Sequence, residues 1–246
     1  MGVGYCNLHL GRMEAAATAL DEAVRRSTGV TDFILSLSMS LEGMRLFATG
    51  HLDQGMTKVT EACRVSQRIA DYEIGGVAQS FLAQMTFAKG DAVRALALYD
   101  EALTMLQTVG DIPEIARVHS EMGWTALAGG DPRAALAAFR RAVLTHEQVG
   151  SPRGTGLALL GIAAVEAAEG RSERAVLIAA AAQALSERAG VVIDHPMDPG
   201  VVERIEALKA SIPKGTLSGL VANASAMTPA EVLAMVGEQE PAAPAP

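Results

Sequence analysis

A turn followed by a helix recurs along this chain at a nearly constant spacing. In the clearest copy, Gly129–Ala142, Asp131 has the position of an N-cap and Pro132 that of the first helical residue. One face of that helix is apolar, formed by Ala135, Phe139 and Ala142. The turns begin at glycines spaced by 39 and then three times by 40 residues: Gly11, Gly50, Gly90, Gly130 and Gly170. This periodicity predicts a helical repeat array.

Each repeat is predicted to be a hairpin of a first and a second helix. The first helices are expected near 1–10, 31–49, 72–89, 112–129 and 152–169, and the second helices near 12–28, 52–69, 92–109, 132–149 and 172–189. A further glycine class, Gly110, Gly150 and Gly190, has the C′ position after second helices. A small residue also recurs seven positions before each turn glycine, at Gly4, Gly43, Ala83, Gly123 and Ala163. It predicts close contact between the two helices of a hairpin.

The order of Gly123, Ala135, Phe139 and Ala142 resembles the tetratricopeptide pattern of small, Ala, aromatic and Ala residues. The resemblance covers about residues 1–190, with a period of 40 instead of the usual 34 and no repeat that carries every large signature residue. The longer period is similar to that of MalT-like and AfsR-like bacterial regulators and of cyclase-associated repeat proteins. The resemblance implies an all-α, right-handed superhelical solenoid of about five hairpins.

The repeat ends at Gly190, and the chain is expected to continue as a cap. A loop at 191–200 precedes predicted helices near 199–211, 214–225 and 229–236, the last opened by the capping box of Thr228 and Glu231. Solenoids need such helices to cover the apolar face of their last repeat. The predicted organisation is therefore repeats at 1–190, capping helices at 191–236 and a disordered tail rich in Pro and Ala at 237–246.

Composition and charge limit the kinds of partner that the chain is expected to bind and its expected location in the cell. The chain is 50% hydrophobic but only 4% aromatic, which is typical of closely packed helices. Its net charge of −8 offers no basic surface, so we expect no direct nucleic-acid binding and no membrane association. The apolar run at Ala175–Ala182 is too short for a bilayer span and predicts a buried helix. Cys6 and Cys63 lack metal-site or disulfide spacing, which favours a cytoplasmic location.

No motif in the sequence predicts catalysis, a cofactor or a metal. The run Arg153–Gly156 lacks the GK[ST] ending of a phosphate loop and is expected to begin a helix. Asp194, His195 and Asp198 crowd into one Pro-containing loop, which is more typical of a polar loop than of a metal site. The histidines are not part of any local nucleophile motif. We therefore expect a protein that is not an enzyme.

One stripe on the first helices is the candidate binding surface. It consists of residues six or three positions before the turn glycines: Tyr5, Met44, Phe47, Gln84, Phe87 and Trp124. In tetratricopeptide-like superhelices this side lines the concave surface, which would accept a partner helix or peptide through apolar anchors. Two alternatives stay open: the wider hairpins bury these residues between repeats, or a terminal helix fills the groove.

These features predict a non-catalytic interaction scaffold that is part of, or derived from, a larger bacterial signalling or transcription regulator. The alternative is a sensor that binds a ligand or peptide in its concave groove. Because the first helix starts without a cap, we expect an upstream domain or a second copy of the chain to cover it. A homodimer through the N-terminal repeat is one form of that expectation.

Overall fold

The computed structural model describes residues 31–193 and 200–237, together with Ala15, Thr18, Ala19 and Glu22. Within 31–193 and 200–237 all regular structure is helical. The helices are α1 Asp32–Ala48, α2 Leu52–Arg68, α3 Tyr72–Ala88, α4 Ala92–Val109, α5 Ile112–Ala128, α6 Pro132–Gln148, α7 Pro152–Ala168, α8 Ser172–Ala189, α9 Gly200–Ser211, α10 Lys214–Ala224 and α11 Pro229–Gly237. Their bounds agree with the predicted helices to within about two residues. The predicted helix at 1–10, nearly all of that at 12–28, most of the loop at 191–200 and the tail after Gly237 lie outside the described residues; Gly237 itself, predicted as the first tail residue, ends α11.

Several helices begin just after an aspartate that caps them. The carboxylate of Asp131 accepts the backbone N–H of Ala134 at 2.9 Å, which confirms its predicted N-cap role. Asp91 caps α4 in the same way, through the N–H of Arg94 at 2.9 Å. Each cap satisfies a donor that has no partner inside the helix. The repeated polar residue therefore fixes where each of these helices begins.

Within the described residues, both predicted glycine classes have left-handed backbone. The turn glycines Gly50, Gly90, Gly130 and Gly170 have φ between 77° and 90°, and the C′ glycines Gly110, Gly150 and Gly190 have φ between 63° and 74°. Ala70 lies 40 residues before Gly110 and has the same conformation, with φ of 52°. A side chain at positive φ is strained, so Ala70 departs from the pattern at an energetic cost.

The chain divides into two compact units, 1–118 and 119–246. In the first unit, α1 packs on α2 and α3, and α3 packs on α2 and α4. Helices α1 and α2 meet at two glycines: a Cβ added to Gly43 would lie 2.9 Å from the carbonyl oxygen of Gly55 and would clash with the side chain of Val59. The small residue predicted at Gly43 thus allows the two backbones to touch.

In the second unit, α7 packs on α6 and α8, and Phe139 of α6 lies at the centre of the contacts. Its ring fills the space beside Gly123 and Gly161, where an added Cβ would overlap it. The predicted apolar face of α6 is fully buried at Ala135, Phe139 and Ala142. The apolar run at Ala175–Ala182 is likewise a largely buried part of α8, as predicted.

The C-terminal helices lie against the last described hairpin. Helices α9 and α10 pack on α8, and α9 also contacts α7. Arg174 donates to the carbonyl oxygen of Met235 at 3.3 Å, and Arg188 donates to that of Ser225 at 2.6 Å. Because these bonds join the two ends of α8 to the two ends of the segment 225–235, α11 runs antiparallel to α8. Its apolar residues Val232, Leu233 and Val236 are buried.

Among the described helices, none alone has the length and apolar composition of a membrane span. Helices α10 and α11 reach that composition only when taken together, across a bend of 120°.

Candidate protein-interaction surface

Four residues of the predicted stripe lie in the first unit, two on each of two neighbouring helices. Met44 and Phe47 are on α1, and Gln84 and Phe87 have the equivalent positions 40 residues later on α3. All four are partly exposed, and α1 packs beside α3. The repeat thus places two aromatic rings, one thioether and one amide at matching levels of adjacent helices. We call Met44, Phe47, Gln84 and Phe87 the unit-1 stripe.

The packing of α3 explains why the unit-1 stripe occupies only the second half of that helix. Residues Ile74–Phe81 are buried on every side of the helix. Farther along, Ala83 and Met85 are fully buried, whereas Gln84 between them is partly exposed. Because the neighbouring residues are held in the core, the backbone at Gln84 is fixed and its side chain extends from a rigid helix.

Two exposed ion pairs of this unit join α2 to α1 and to the residue that follows α3. Lys58 contacts Glu42 at 3.0 Å, and Lys89 contacts Asp53 at 2.6 Å. These pairs are well exposed and contribute little to stability. Arg45, which lies between Met44 and Phe47 in α1, is also partly exposed. The four residues of the unit-1 stripe are themselves uncharged, so their own contacts are apolar or neutral polar.

A buried ion pair fixes the start of α5 against α3, and the sequence pattern does not predict it. Arg117 lies 2.6 Å from the carboxylate of Glu114, which is almost completely buried. The same guanidinium donates to Ser80 at 2.7 Å and lies 5.3 Å above the ring of Phe81. The equivalent position in α3 is Val77, so repeat periodicity carries no signal for this charge.

Trp124, the stripe residue of the second unit, is buried rather than exposed. Its side chain is only 7% exposed, and its ring packs edge-on against Phe139 with centroids 5.1 Å apart. If Trp124 lined a binding groove, as the sequence pattern predicted, its ring would have to face the solvent. At this position the structure instead agrees with the alternative that the stripe is core, because the large ring of Phe139 reaches the first helices. Tyr5 lies outside the described residues, and a binding role for the stripe stays a prediction.

A buried histidine, His119, and a partly buried one, His146, lie close to each other in the second unit. Burial lowers the pKa of His119 to about 4, with a further contribution from the positive charge of Arg141. Burial also lowers the pKa of His146 to about 4, and His119 adds to the effect. The hydroxyl of Ser120 lies 3.4 Å from Nε2 of His146. Such weakly basic rings are poor general bases at neutral pH, so this arrangement favours packing over nucleophile activation.

The other sequence motifs have simple structural roles or fall outside the described residues. Arg153–Gly156 lies in the first turn of α7, and Ser151 caps that helix through the N–H of Gly154. Asp194, His195 and Asp198 are outside the described part of the chain. Among the residues that are described, no group of three or more His, Cys, Asp or Glu side chains could hold a metal ion.

Comparison with known proteins identifies the repeat. Two family models described as tetratricopeptide repeat match the chain, one over residues 76–148 and the other over residues 1–30 and 120–189. A search of curated proteins gives no match.

Solved structures share the fold at low sequence identity. BtubC (BKLC) from P. vanneervenii aligns with a TM-score of 0.61 and 18% identity, over 78% of this chain and 80% of that one. A variant of nearly identical TPR-like repeats from a Podosopora anserina kinesin light chain aligns with a TM-score of 0.55 and 14% identity, over 77% and 93% of the two chains. The predicted all-α helical-repeat class is thus confirmed.

Proposed function

Because this chain is built of tetratricopeptide-like repeats, we propose that it is a non-catalytic protein-interaction module that binds through the unit-1 stripe. Repeats of this family generally mediate contacts between proteins, and their helices offer a rigid surface to a partner segment. The observation that carries the proposal is the pair Phe47 and Phe87, two partly exposed aromatic rings on adjacent helices. Aromatic side chains on a rigid support are typical anchors of protein interfaces.

The chemistry of the unit-1 stripe specifies the kind of partner. Two phenyl rings and a thioether favour a segment with apolar side chains, and the flexible Met44 can adapt to their shape. We therefore propose an amphipathic helix or extended peptide with two apolar anchors, each contacting one of the phenylalanines.

Site-specific photocrosslinking tests this surface even when the partner is unidentified. Phe87 is replaced by p-benzoylphenylalanine in one variant, and Val93 is replaced in a matched control. Val93 lies on α4 of the same unit and is 83% exposed, so it reports nonspecific encounters. Illumination in the producing cells is expected to give a discrete protein adduct at Phe87 that is missing at Val93. Equal adducts at both positions, or an adduct at Val93 alone, would overturn the proposed surface.

We also propose a cytoplasmic role within a bacterial signalling or transcription regulator, with the N-terminal repeat as a self-association surface. The 40-residue period supports the regulator role, since it is similar to that of MalT-like and AfsR-like regulators. The acidic net charge of −8 favours contact with DNA through another component, not through this chain. Light scattering over a concentration series is expected to show a dimer that dissociates on dilution, whereas a constant monomer mass would contradict self-association.

A further inference from the structure

A partly open cavity of about 190 Å³ lies in the first unit, where the end of α2, the start of α3 and the second half of α4 meet. It is separate from the unit-1 stripe, which occupies the other half of α3. Six residues that form much of its wall are Cys63, Ser66, Tyr72, Gly75, Gln79 and Met105. Cys63 and Ser66 are buried, whereas Gln67, Ala70 and Tyr72 of the same lining are exposed.

Comparison with the next repeat shows how the cavity arises. Forty residues beyond Ser66 is Leu106, and forty beyond Gly75 is Ile115. Both of these large residues are buried. In the next repeat they therefore fill the space that corresponds to the cavity beside Ser66 and Gly75. A Cβ on Gly75 would already lie 3.3 Å from Oγ of Ser66 and 3.4 Å from Sδ of Met105. The small residues at 66 and 75 therefore keep the cavity open.

The wall combines soft apolar groups, a few neutral polar ones and the carboxylate of Asp71, which also caps α3. Burial raises the pKa of the Cys63 thiol to about 12, so this sulfur is uncharged at neutral pH. The thioether of Met105 supplies a second sulfur, and Tyr72, which is 50% exposed, supplies an aromatic ring. Gln79 adds an amide that donates to the carboxylate of Glu101. Sulfur atoms contact aromatic rings favourably, whereas an anionic ligand would lose its hydration and be repelled by the carboxylate of Asp71.

We propose that this cavity binds a small, neutral aromatic molecule of one or two rings. The volume supports this size, because an engineered apolar cavity of about 150 Å³ accommodates benzene. The ring lies between the sulfurs of Cys63 and Met105, and the amide of Gln79 offers a hydrogen-bonding group to a hydroxyl or N–H of the ligand. This site is independent of the protein-binding surface, so either proposal can fail without the other.

NMR of the full chain with ¹³C-labelled methionine methyl groups tests the site directly. The probes are indole and phenol, with benzoate as an anionic control of similar size. Indole is expected to shift the Met105 methyl resonance in a saturable way, with a dissociation constant on the order of 1 mM. The methyl group of Met85, which lies near Gly55 and away from the cavity, is the internal control. No shift at Met105 up to about 10 mM indole, or an equal shift with benzoate, would overturn the proposal.

Two filling variants show whether the shift arises in the cavity. Ser66→Leu and Gly75→Ile each introduce the side chain that the next repeat carries at the equivalent position. Gly219→Ile is the matched control, because Gly219 is a helical glycine with nothing within 4 Å of an added Cβ. Either filling variant that keeps the Tm of the parent is expected to lose the indole response, whereas Gly219→Ile keeps it. An unchanged response in a folded filling variant would overturn the proposed location.

Discussion

The ring of Trp124 packs edge-on against the ring of Phe139, with centroids 5.1 Å apart and planes inclined at 77°. This contact joins the first and second helices of one hairpin, α5 and α6. Phe139 is fully buried, and glycines at 123 and 161 make room for its ring. The pair is therefore the centre of packing in the second unit, and several measurable consequences depend on it.

Truncation of Phe139 should cost much of the stability of the second unit. Phe139→Ala is expected to lower the free energy of unfolding by about 3–5 kcal/mol, because it opens a cavity that rigid helices cannot close. Urea denaturation followed by circular dichroism measures the change. Leu144→Ala on the same helix is the control, since Leu144 is 61% exposed and its loss should stay within about 0.5 kcal/mol. A loss of less than about 1 kcal/mol for Phe139→Ala would contradict the repeat packing.

Trp124→Ala distinguishes a core role from a binding role at this position. Because the ring is buried against Phe139, we expect a loss of about 3 kcal/mol or more in the free energy of unfolding. A double-mutant cycle with Phe139→Ala should give a coupling of about 0.5–1.5 kcal/mol for the edge-on ring contact. If Trp124→Ala were instead almost as stable as the parent chain, the ring would not be part of the core, and the predicted role in lining a groove would be favoured.

The glycine at 161 should tolerate no side chain. Gly161→Ala is expected to destabilise the protein by about 1–3 kcal/mol, because the new Cβ overlaps the ring of Phe139. Gly219→Ala makes the same change in an open part of α10 and should be neutral or stabilising by up to about 1 kcal/mol. Thermal unfolding of the two variants provides the comparison, and equal Tm values for them would show that α6 and α7 are not in contact at Phe139.

Ala70 offers the opposite prediction. Ala70→Gly should raise the free energy of unfolding by about 0.5–1 kcal/mol, because it removes a side chain from left-handed backbone. Gly110→Ala, the reciprocal change 40 residues later, should lower it by a similar amount. Chemical denaturation of both variants provides the measurement. If both variants changed the free energy of unfolding in the same direction, residues 70 and 110 would not share the left-handed backbone conformation.

Acid should destabilise the second unit through His119 and His146. Both have a folded-state pKa of about 4 against an ordinary value of 6.5, so the unfolded chain binds more protons between these limits. Stability is therefore complete above about pH 6.5 and declines as the pH falls toward 4, by at most about 1.4 kcal/mol per pH unit for each histidine. His119→Leu should flatten this decline between pH 7 and 5. An unchanged slope would contradict the burial of this ring.

The helices could be predicted well from the sequence because caps and glycines repeat. Asp131 and Gly130 specify a turn by local chemistry, and the 40-residue period extends that information to each copy. Features that differ from one repeat to the next could not be predicted from this period. The buried pair of Glu114 and Arg117, and the cavity left by Ser66, depend on how one repeat departs from the next.

The candidate surface was only partly predictable for the same reason. Helical spacing places Phe47, Phe87 and Trp124 on equivalent faces, but it does not state what covers each face. Trp124 is buried against Phe139, whereas Gln84, at the equivalent position 40 residues earlier, is partly exposed although its hairpin carries the large Tyr99. Burial of a stripe residue thus depends on tertiary neighbours that periodicity does not reveal.

The most direct test of the proposed interaction surface is the affinity of the partner recovered by crosslinking at Phe87, measured by calorimetry. The variant Phe47→Ala/Phe87→Ala should weaken binding by at least about a hundredfold, since two aromatic anchors are removed. Val93→Ala, on the exposed side of α4, should leave the dissociation constant unchanged, with Tm values confirming that each variant is folded. A double variant that binds as tightly as the parent chain would contradict the central claim that the unit-1 stripe is the interaction surface.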